Sequence, residues 1–278
     1  MKPDITDNFE RVAGSYDSTE GIFSGPIADR LIQVAGVAPG ERVLDVGCGT
    51  GALLLRAAAA VMPGGHVTGL DLSRRMLDTA AARVDAAGLA NVTLAEGDAE
   101  DPPLPEERYD KVVASLVFYL LPDPRRAASR WLRLLRPGGA IAFSWHVAED
   151  PAWIPVFSAV DRYIPPGAPR FTEMLRHWPL GSVTELEEML ADLGYADIST
   201  VTGGVPTRYP SPVSWWDSGW SRARRIAWQH IPEDRLAAAR AEALGQLNEV
   251  RDPADGSVTR TAEFGWTIAR RRCRSLQL

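Results

Sequence analysis

The segment Val43-Leu44-Asp45-Val46-Gly47-Cys48-Gly49-Thr50-Gly51 constrains this chain more than any other. A short apolar run passes into three closely spaced glycines and then at once into the Ala- and Leu-rich stretch from Ala52 to Val61. That order reads as a buried strand, a tight turn and a helix. Glycine suits a turn of this kind because, without a Cβ, the backbone bends sharply and lies close to a ligand. The same order recurs: His66 to Asp71 is a second strand, Arg74 to Ala87 a helix, and Val92 to Ala95 a third strand. Lys111 to Ser115, a helix from Pro124 to Leu135, the turn Arg136-Pro137-Gly138-Gly139 and a fifth strand from Ala140 to Trp145 follow. Strands alternating with helices imply an α/β, doubly wound, largely parallel sheet.

Around this core the text is less regular. Residues 1–40 read as a helical cap, with one helix from Asn8 to Tyr16 and another from Ile27 to Ala35, ending at Ala38-Pro39-Gly40. Residues 41–150 form the Rossmann-like core, and 151–182 an insertion punctuated by Pro151, Pro155, Pro165, Pro166, Pro169 and Pro179. Residues 183–278 complete the sheet: a helix from Val183 to Leu193, a strand from Asp197 to Gly203, a helical insertion over 212–250 and a final strand from Val258 to Arg270. No internal repeat is visible.

A net charge of -6 on 278 residues argues against a general nucleic-acid binder, which needs a basic face. The run Arg270, Arg271, Arg272 and Arg274 reads as a solvated terminus. Cys48 and Cys273 suggest neither a disulfide framework nor metal ligands, and no metal-ligand cluster is evident. There is no apolar signal core and no run long enough to span a bilayer, so a cytoplasmic protein is expected.

The chemistry concentrates at the ends of the strands. Asp45 would repel a pyrophosphate and would welcome a cationic amino-acid group. Asp71 ends the second strand, where an acid accepts hydrogen bonds from ribose hydroxyls. Asp98 follows the third strand within Glu96-Gly97-Asp98-Ala99-Glu100, beside the place an adenine would take. The combination VLDVGCGTG, GLDLS, EGDAED, YDKVVASLVFYLL and LRPGGAIAFSW resembles the class I methyltransferases that use S-adenosylmethionine (SAM), especially their ubiquinone/menaquinone and small-molecule branch. The resemblance covers residues 5 to 150. It implies a seven-stranded sheet with the last strand antiparallel between the fifth and sixth, and S-adenosylhomocysteine as the product of the cofactor. It also implies that the backbone at Gly47, Cys48 and Gly49 holds the methionine part of SAM, with Asp45 close by. Asp71 would hold the ribose, Leu72 one adenine face, Asp98 and Ala99 the adenine edge, and Ser115 the segment beneath the sulfonium. Tyr16 would fold over the cofactor and reach its carboxylate, although Phe9, Val12 and Tyr16 also have the spacing of an amphipathic stripe. Cys48 reads as a small buried filler rather than a reactive thiol.

Methyl transfer is an in-line displacement governed by positioning, so it need leave no motif. His146, at the end of the fifth strand, is the candidate base; an ordinary loop polar residue is the competing reading. His177 and His230 are weaker candidates, and His66 lies at the opposite edge. Eight of the nine tryptophans follow position 140. Trp145, Trp153, Trp215 and Trp216, with Tyr119, are expected to line the site of an apolar or aromatic small-molecule acceptor as an aromatic lid. The alternatives are packing of the insertions or an interface between copies in a homo-oligomer. The absence of an Asp/Asn-Pro-Pro-Tyr-like signature after the fourth strand disfavours methylation of nitrogen in nucleic acid or protein. The expected function is methylation of carbon or oxygen of a terpenoid, polyketide, quinone or other secondary metabolite. Its rivals are a SAM-binding cyclase on the same scaffold, a nicotinamide oxidoreductase and a non-catalytic binding module.

Overall fold

The computed structural model describes residues 2–14, 16, 24–176, 182–221 and 224–273. His177, Trp178 and Arg274 lie outside the described residues. The chain divides into two compact units, and neither is continuous in sequence. The core unit comprises Ser24–Trp145, Pro179–Thr202 and Gly265–Leu278; the insert unit comprises Met1–Phe23, His146–Trp178 and Gly203–Phe264. The four consecutive segments expected from sequence therefore do not coincide with them. Residues 24–40 group with the core because α2 (Ser24–Ala35) buries Ile27, Ala28 and Leu31 there.

One seven-stranded sheet runs in the order β3-β2-β1-β4-β5-β7-β6, with β7 antiparallel. Its strands are β1 (Arg42–Val46), β2 (His66–Asp71), β3 (Val92–Glu96), β4 (Tyr109–Ser115), β5 (Leu135–Ala148), β6 (Tyr195–Tyr209) and β7 (Val258–Arg271). After its first residue β1 is buried throughout, as a strand covered on both faces must be. The connecting helices are α3 (Ala52–Ala60), which starts at Gly51 with no side-chain cap, and α4 (Arg74–Ala86) and α5 (Pro124–Leu134), which start where short polar side chains cap them. Ser73 accepts from the Met76 N–H at 3.2 Å and Asp123 from that of Arg126 at 2.9 Å. Later in the core unit α8 (Val183–Asp192) is capped by Ser182 in the same way.

Two strands, β5 and β6, exceed their expected lengths by more than two residues. The Arg136–Gly139 turn lies within β5, where pairing with β4 jumps from Tyr109↔Leu135 to Lys111↔Ala140. Gly138 at φ +82° lets the chain bulge and rejoin the ladder instead of turning away. β6 runs on past Gly203 to Tyr209, across the join between the units.

The insert unit is helical around an aromatic cluster. It holds α1 (Lys2–Val12), α6 (Ile154–Asp161), α7 (Phe171–Arg176), α9 (Pro212–Gly219), α10 (Arg224–Trp228) and α11 (Glu233–Glu249). α11 turns Ala239, Ala243 and Leu247 inward at four-residue spacing, and its small residues let neighbouring helices approach closely. Trp215 is fully buried, with ring centroids 5.7 Å from Trp153, 6.0 Å from Phe157 and 5.5 Å from Trp228. Trp216 stacks on Trp228 at 4.6 Å. The Arg224 guanidinium lies 4.9 Å from the Trp215 ring and donates to Ser218 Oγ at 2.8 Å.

Candidate active site

The parallel register brings the expected cofactor residues to one edge of the sheet. Asp45 pairs with Gly69 and Val113, Asp71 with Glu96, and Ser115 with Ser144. These positions lie at or near the carboxyl ends of their strands, where open α/β sheets bind ligands.

The glycine turn is a tight fit on one side and open on the other. Gly47 has φ +67°, and a Cβ there would meet Val117 Cγ2 at 2.5 Å. Gly49 has φ +53° and nothing within 4 Å of where its Cβ would stand. The loop is tied to the next strand: Cys48 N–H donates to the Leu70 carbonyl, and Gly49 N–H to Asp71 Oδ2 at 2.8 Å. Asp71 Oδ1 also accepts from Ser73 N–H at 2.9 Å. A carboxylate has about four acceptor positions, so these bonds orient Asp71 while leaving capacity for hydroxyls.

Asp45 differs from Asp71. It is buried, and neither oxygen has a hydrogen-bond partner among the described residues. Burial pushes its carboxyl well above the usual range, and repulsion from Asp71 adds to the shift. Cys48 is buried beside it. Burial first, then the two acids, raise its thiol, which suits a space-filling residue and not a nucleophile.

Leu72 keeps 41% of its surface exposed next to Asp71. Asp98 Oδ1 accepts from Glu100 N–H at 2.9 Å, and the Ala99 carbonyl accepts from Trp131 Nε1 at 2.8 Å; these bonds shape the loop after β3. Ser115 Oγ lies 3.2 Å from Ser144 Oγ. Leu116 follows at φ +59°, held by its N–H to Ser144 Oγ at 3.1 Å, and this turn directs Val117 toward Gly47. Tyr119 is half-buried in the short 3-10 turn after it. Val117 as the wall of the glycine turn was not foreseen.

The tryptophans expected to line an acceptor site are all buried. Trp145 is a core residue: its Nε1 donates to Thr267 at 3.0 Å and its ring covers Gly265, where a Cβ would meet Cε2 at 2.7 Å. Trp153, Trp215 and Trp216 bury one another in the insert unit. Packing accounts for their concentration, and their rings present no open wall. Tyr16 lies beyond the end of α1 at Val12 and meets Phe9 edge to face at 6.1 Å.

His146 stands in a buried polar group that the sequence reading did not anticipate. Its Nε2 is 3.6 Å from Glu149 Oε2, and its ring meets Phe264 edge-on at 5.5 Å. Glu149 is held by both ends of the Arg260 fork, with Arg260 Nε donating to Oε1 at 2.7 Å and Nη2 to Oε2. Burial would raise the Glu149 carboxyl, but His146 and Arg260 outweigh it and hold it at about 2. The signals were faint: an acid three residues after His146, and an arginine at an inward position of the Val258, Arg260, Ala262, Phe264 alternation. His66 bonds Thr93 at 2.9 Å, far from this group in sequence, and His230 is exposed.

Among the described residues no group of His, Cys, Asp or Glu is arranged to hold a metal ion, and no helix is long and apolar enough to cross a membrane.

Comparison with known proteins agrees with this geometry. Residues 43–139 match the methyltransferase domain family. The chain is 34% identical to the nocamycin O-methyltransferase of Saccharothrix syringae over 274 residues, spanning 95% of this chain and 97% of that one. It is 30% identical to the demethylmenaquinone methyltransferase of Listeria welshimeri, over 70% of this chain and 88% of that one. Among solved structures, a SAM-dependent methyltransferase from Aquifex aeolicus aligns with a TM-score of 0.53 at 21% identity, over 71% of this chain and 92% of that one.

Proposed function

Because the chain belongs to the class I SAM-dependent methyltransferases, we propose that it methylates a carbon or oxygen atom of an apolar small molecule of secondary or quinone metabolism. The observation that carries the cofactor part is the buried, unpartnered Asp45 carboxylate under an open glycine turn. Buried polar groups rarely go without partners, and the cationic amino group of SAM supplies the missing one. Bound there, SAM contributes a methyl group on an electron-poor sulfonium. The chain's own residues bind and orient. Backbone groups at Gly47, Cys48 and Gly49 hold the methionine part and Asp71 accepts from the ribose. Leu72 offers an apolar face to the adenine, Asp98 and Ala99 read its edge, and Ser115 lies beneath the reacting centre. Tyr16 caps the carboxylate, Tyr119 contacts the acceptor, and His146 takes its proton.

The acceptor class is supported by the relatives, whose names specify nocamycin, aklanonic acid and demethylmenaquinone. Cytoplasmic placement belongs to the same proposal and is supported by two free cysteines. Titration calorimetry with S-adenosylhomocysteine, with NAD as control, tests the cofactor: binding of the former alone is expected, and binding of NAD alone or of neither refutes it. Hydroxylated aromatics and quinols are then screened for a mass gain of one methyl group.

A further inference from the structure

We infer that Glu149, clamped by Arg260 and by the Asp150 backbone, is a positioning residue that fixes the tautomer of His146 and leaves Nδ1 as its basic atom. The inference rests on the reading of His146 as the proton acceptor in methyl transfer.

The argument starts from the two oxygens of Glu149, which are not equivalent. Oε1 accepts from Arg260 Nε at 2.7 Å and from Asp150 N–H at 2.8 Å. Oε2 accepts from Arg260 Nη2 and is the oxygen that faces His146 Nε2 at 3.6 Å. The Glu149 and Arg260 side chains are 8% and 6% exposed, so the pair is shielded from water and has little freedom to rearrange. An anionic acceptor beside Nε2 favours the imidazole form with its proton on that nitrogen. Nδ1 then carries the lone pair: both ring nitrogens are buried without a hydrogen bond among the described residues, and the Glu149 carboxylate lies on the Nε2 side, as an ion-pair contact at 3.6 Å. A purely structural histidine at such a position would be expected to spend both nitrogens on protein groups.

The proton transfer balances. The acceptor's O–H or C–H proton passes to Nδ1 as its oxygen or carbon forms a bond to the methyl. The methyl–sulfur bond breaks with its electron pair going to sulfur, and the resulting imidazolium faces the Glu149 carboxylate. Arg260 cancels the charge of Glu149, so the ion pair is neutral overall.

The inequivalence of the oxygens makes a sharp test. In Glu149→Gln the amide oxygen should occupy the Oε1 position, where two donors converge against one at Oε2, so the NH2 group turns toward His146 Nε2 and the bond from Arg260 Nη2 is lost. A donor facing Nε2 reverses the preference and moves the imidazole proton to Nδ1. The measurement is 15N NMR of histidine-labelled full-length protein at a pH where the ring is neutral, with His146 assigned by its loss in His146→Gln. The wild type is expected to show a protonated Nε2 and an unprotonated Nδ1, and Glu149→Gln the reverse.

If Glu149→Gln fails to fold because Arg260 is left with a buried charge, Glu149→Gln/Arg260→Met removes that charge. It keeps Asp150 N–H on the amide oxygen, so the same reversal is expected. A wild-type ring protonated on Nδ1, or a tautomer unchanged by either variant, overturns the inference. S-adenosylhomocysteine binding is measured in parallel. Retained binding with the wrong tautomer removes only the role of Glu149, whereas absent binding removes the methyl-transfer reading, whatever the ring shows.

Discussion

Among the carboxyl groups that the two units bury, one in each is treated in the opposite way from the other. In the core unit Asp45 is buried with no hydrogen-bond partner for either oxygen among the described residues, and its pKa is driven up. In the insert unit Glu149 is buried against a bidentate arginine and a histidine, and its pKa is brought down to about 2. A protein interior that could supply a guanidinium in one place leaves an acid alone in another. The solitary acid is the one whose partner is expected from outside the chain, and the clamped acid is the one whose partner is built in. On the proposed reading, the contrast is that between a ligand position and a positioning device.

The largest test of this division is Trp215→Ala. Truncating a fully buried indole costs about 3–5 kcal/mol, and denaturant unfolding should show a loss of that size. S-adenosylhomocysteine affinity in the folded variant should hold; an equal collapse of affinity would mean that the aromatic cluster serves the cofactor directly.

Gly47→Ala is expected to cost about 3 kcal/mol, from left-handed backbone strain and overpacking against Val117 together. Here cofactor affinity should be lost along with stability. A variant that binds normally would place the methionine part of the cofactor elsewhere.

Asp71→Ala removes the acceptor for two loop N–H groups and for the ribose. Calorimetry should show affinity for S-adenosylhomocysteine falling about tenfold or more, since an orphaned polar group costs about 1–3 kcal/mol.

The smallest effect is the most specific to Asp45. Its raised pKa means that the folded protein keeps a proton the unfolded chain releases. Apo stability should therefore fall as pH rises from the ordinary carboxylate range to the raised value, by at most about 1.4 kcal/mol per pH unit. Asp45→Asn should flatten that slope while weakening cofactor binding. Glu149 has the opposite sign: its stabilisation is complete above the ordinary carboxylate range and is lost as pH falls toward about 2. Melting temperatures of wild type and Asp45→Asn across pH would show both limbs. An unchanged alkaline-side slope in the variant would assign it to another group.

Much of the core unit was legible because its signals are local. The boundaries of β1 and β2 follow from apolar runs that reach an acid, and the same reasoning put Asp45 and Asp71 at or near the strand ends where they stand. The insert unit resisted because its decisive pairings are distant. Glu149 and Arg260 are separated by 111 positions, and nothing in either neighbourhood announces the other. The tryptophans show a different ambiguity. Composition registered that they were concentrated, but a lid and a small hydrophobic core need the same residues, and only packing distinguishes them. Gly219 shows how close that packing is: a Cβ there would come within 2.2 Å of Trp228.

The interleaving of the two units also affects how the protein is made. Strands β1 to β4 and most of β5 leave the ribosome consecutively and can begin to pair as they emerge. The insert unit draws on three stretches, the last ending at Phe264, so Trp153 and Phe157 wait for more than half of its residues to be synthesised before Trp215, Trp228 and Arg260 can cover them. During that interval an aromatic-rich segment is exposed in the crowded cell. A nascent chain stalled before β7 is therefore the species most prone to aggregate, and chaperone demand should peak there and not at the catalytic fold.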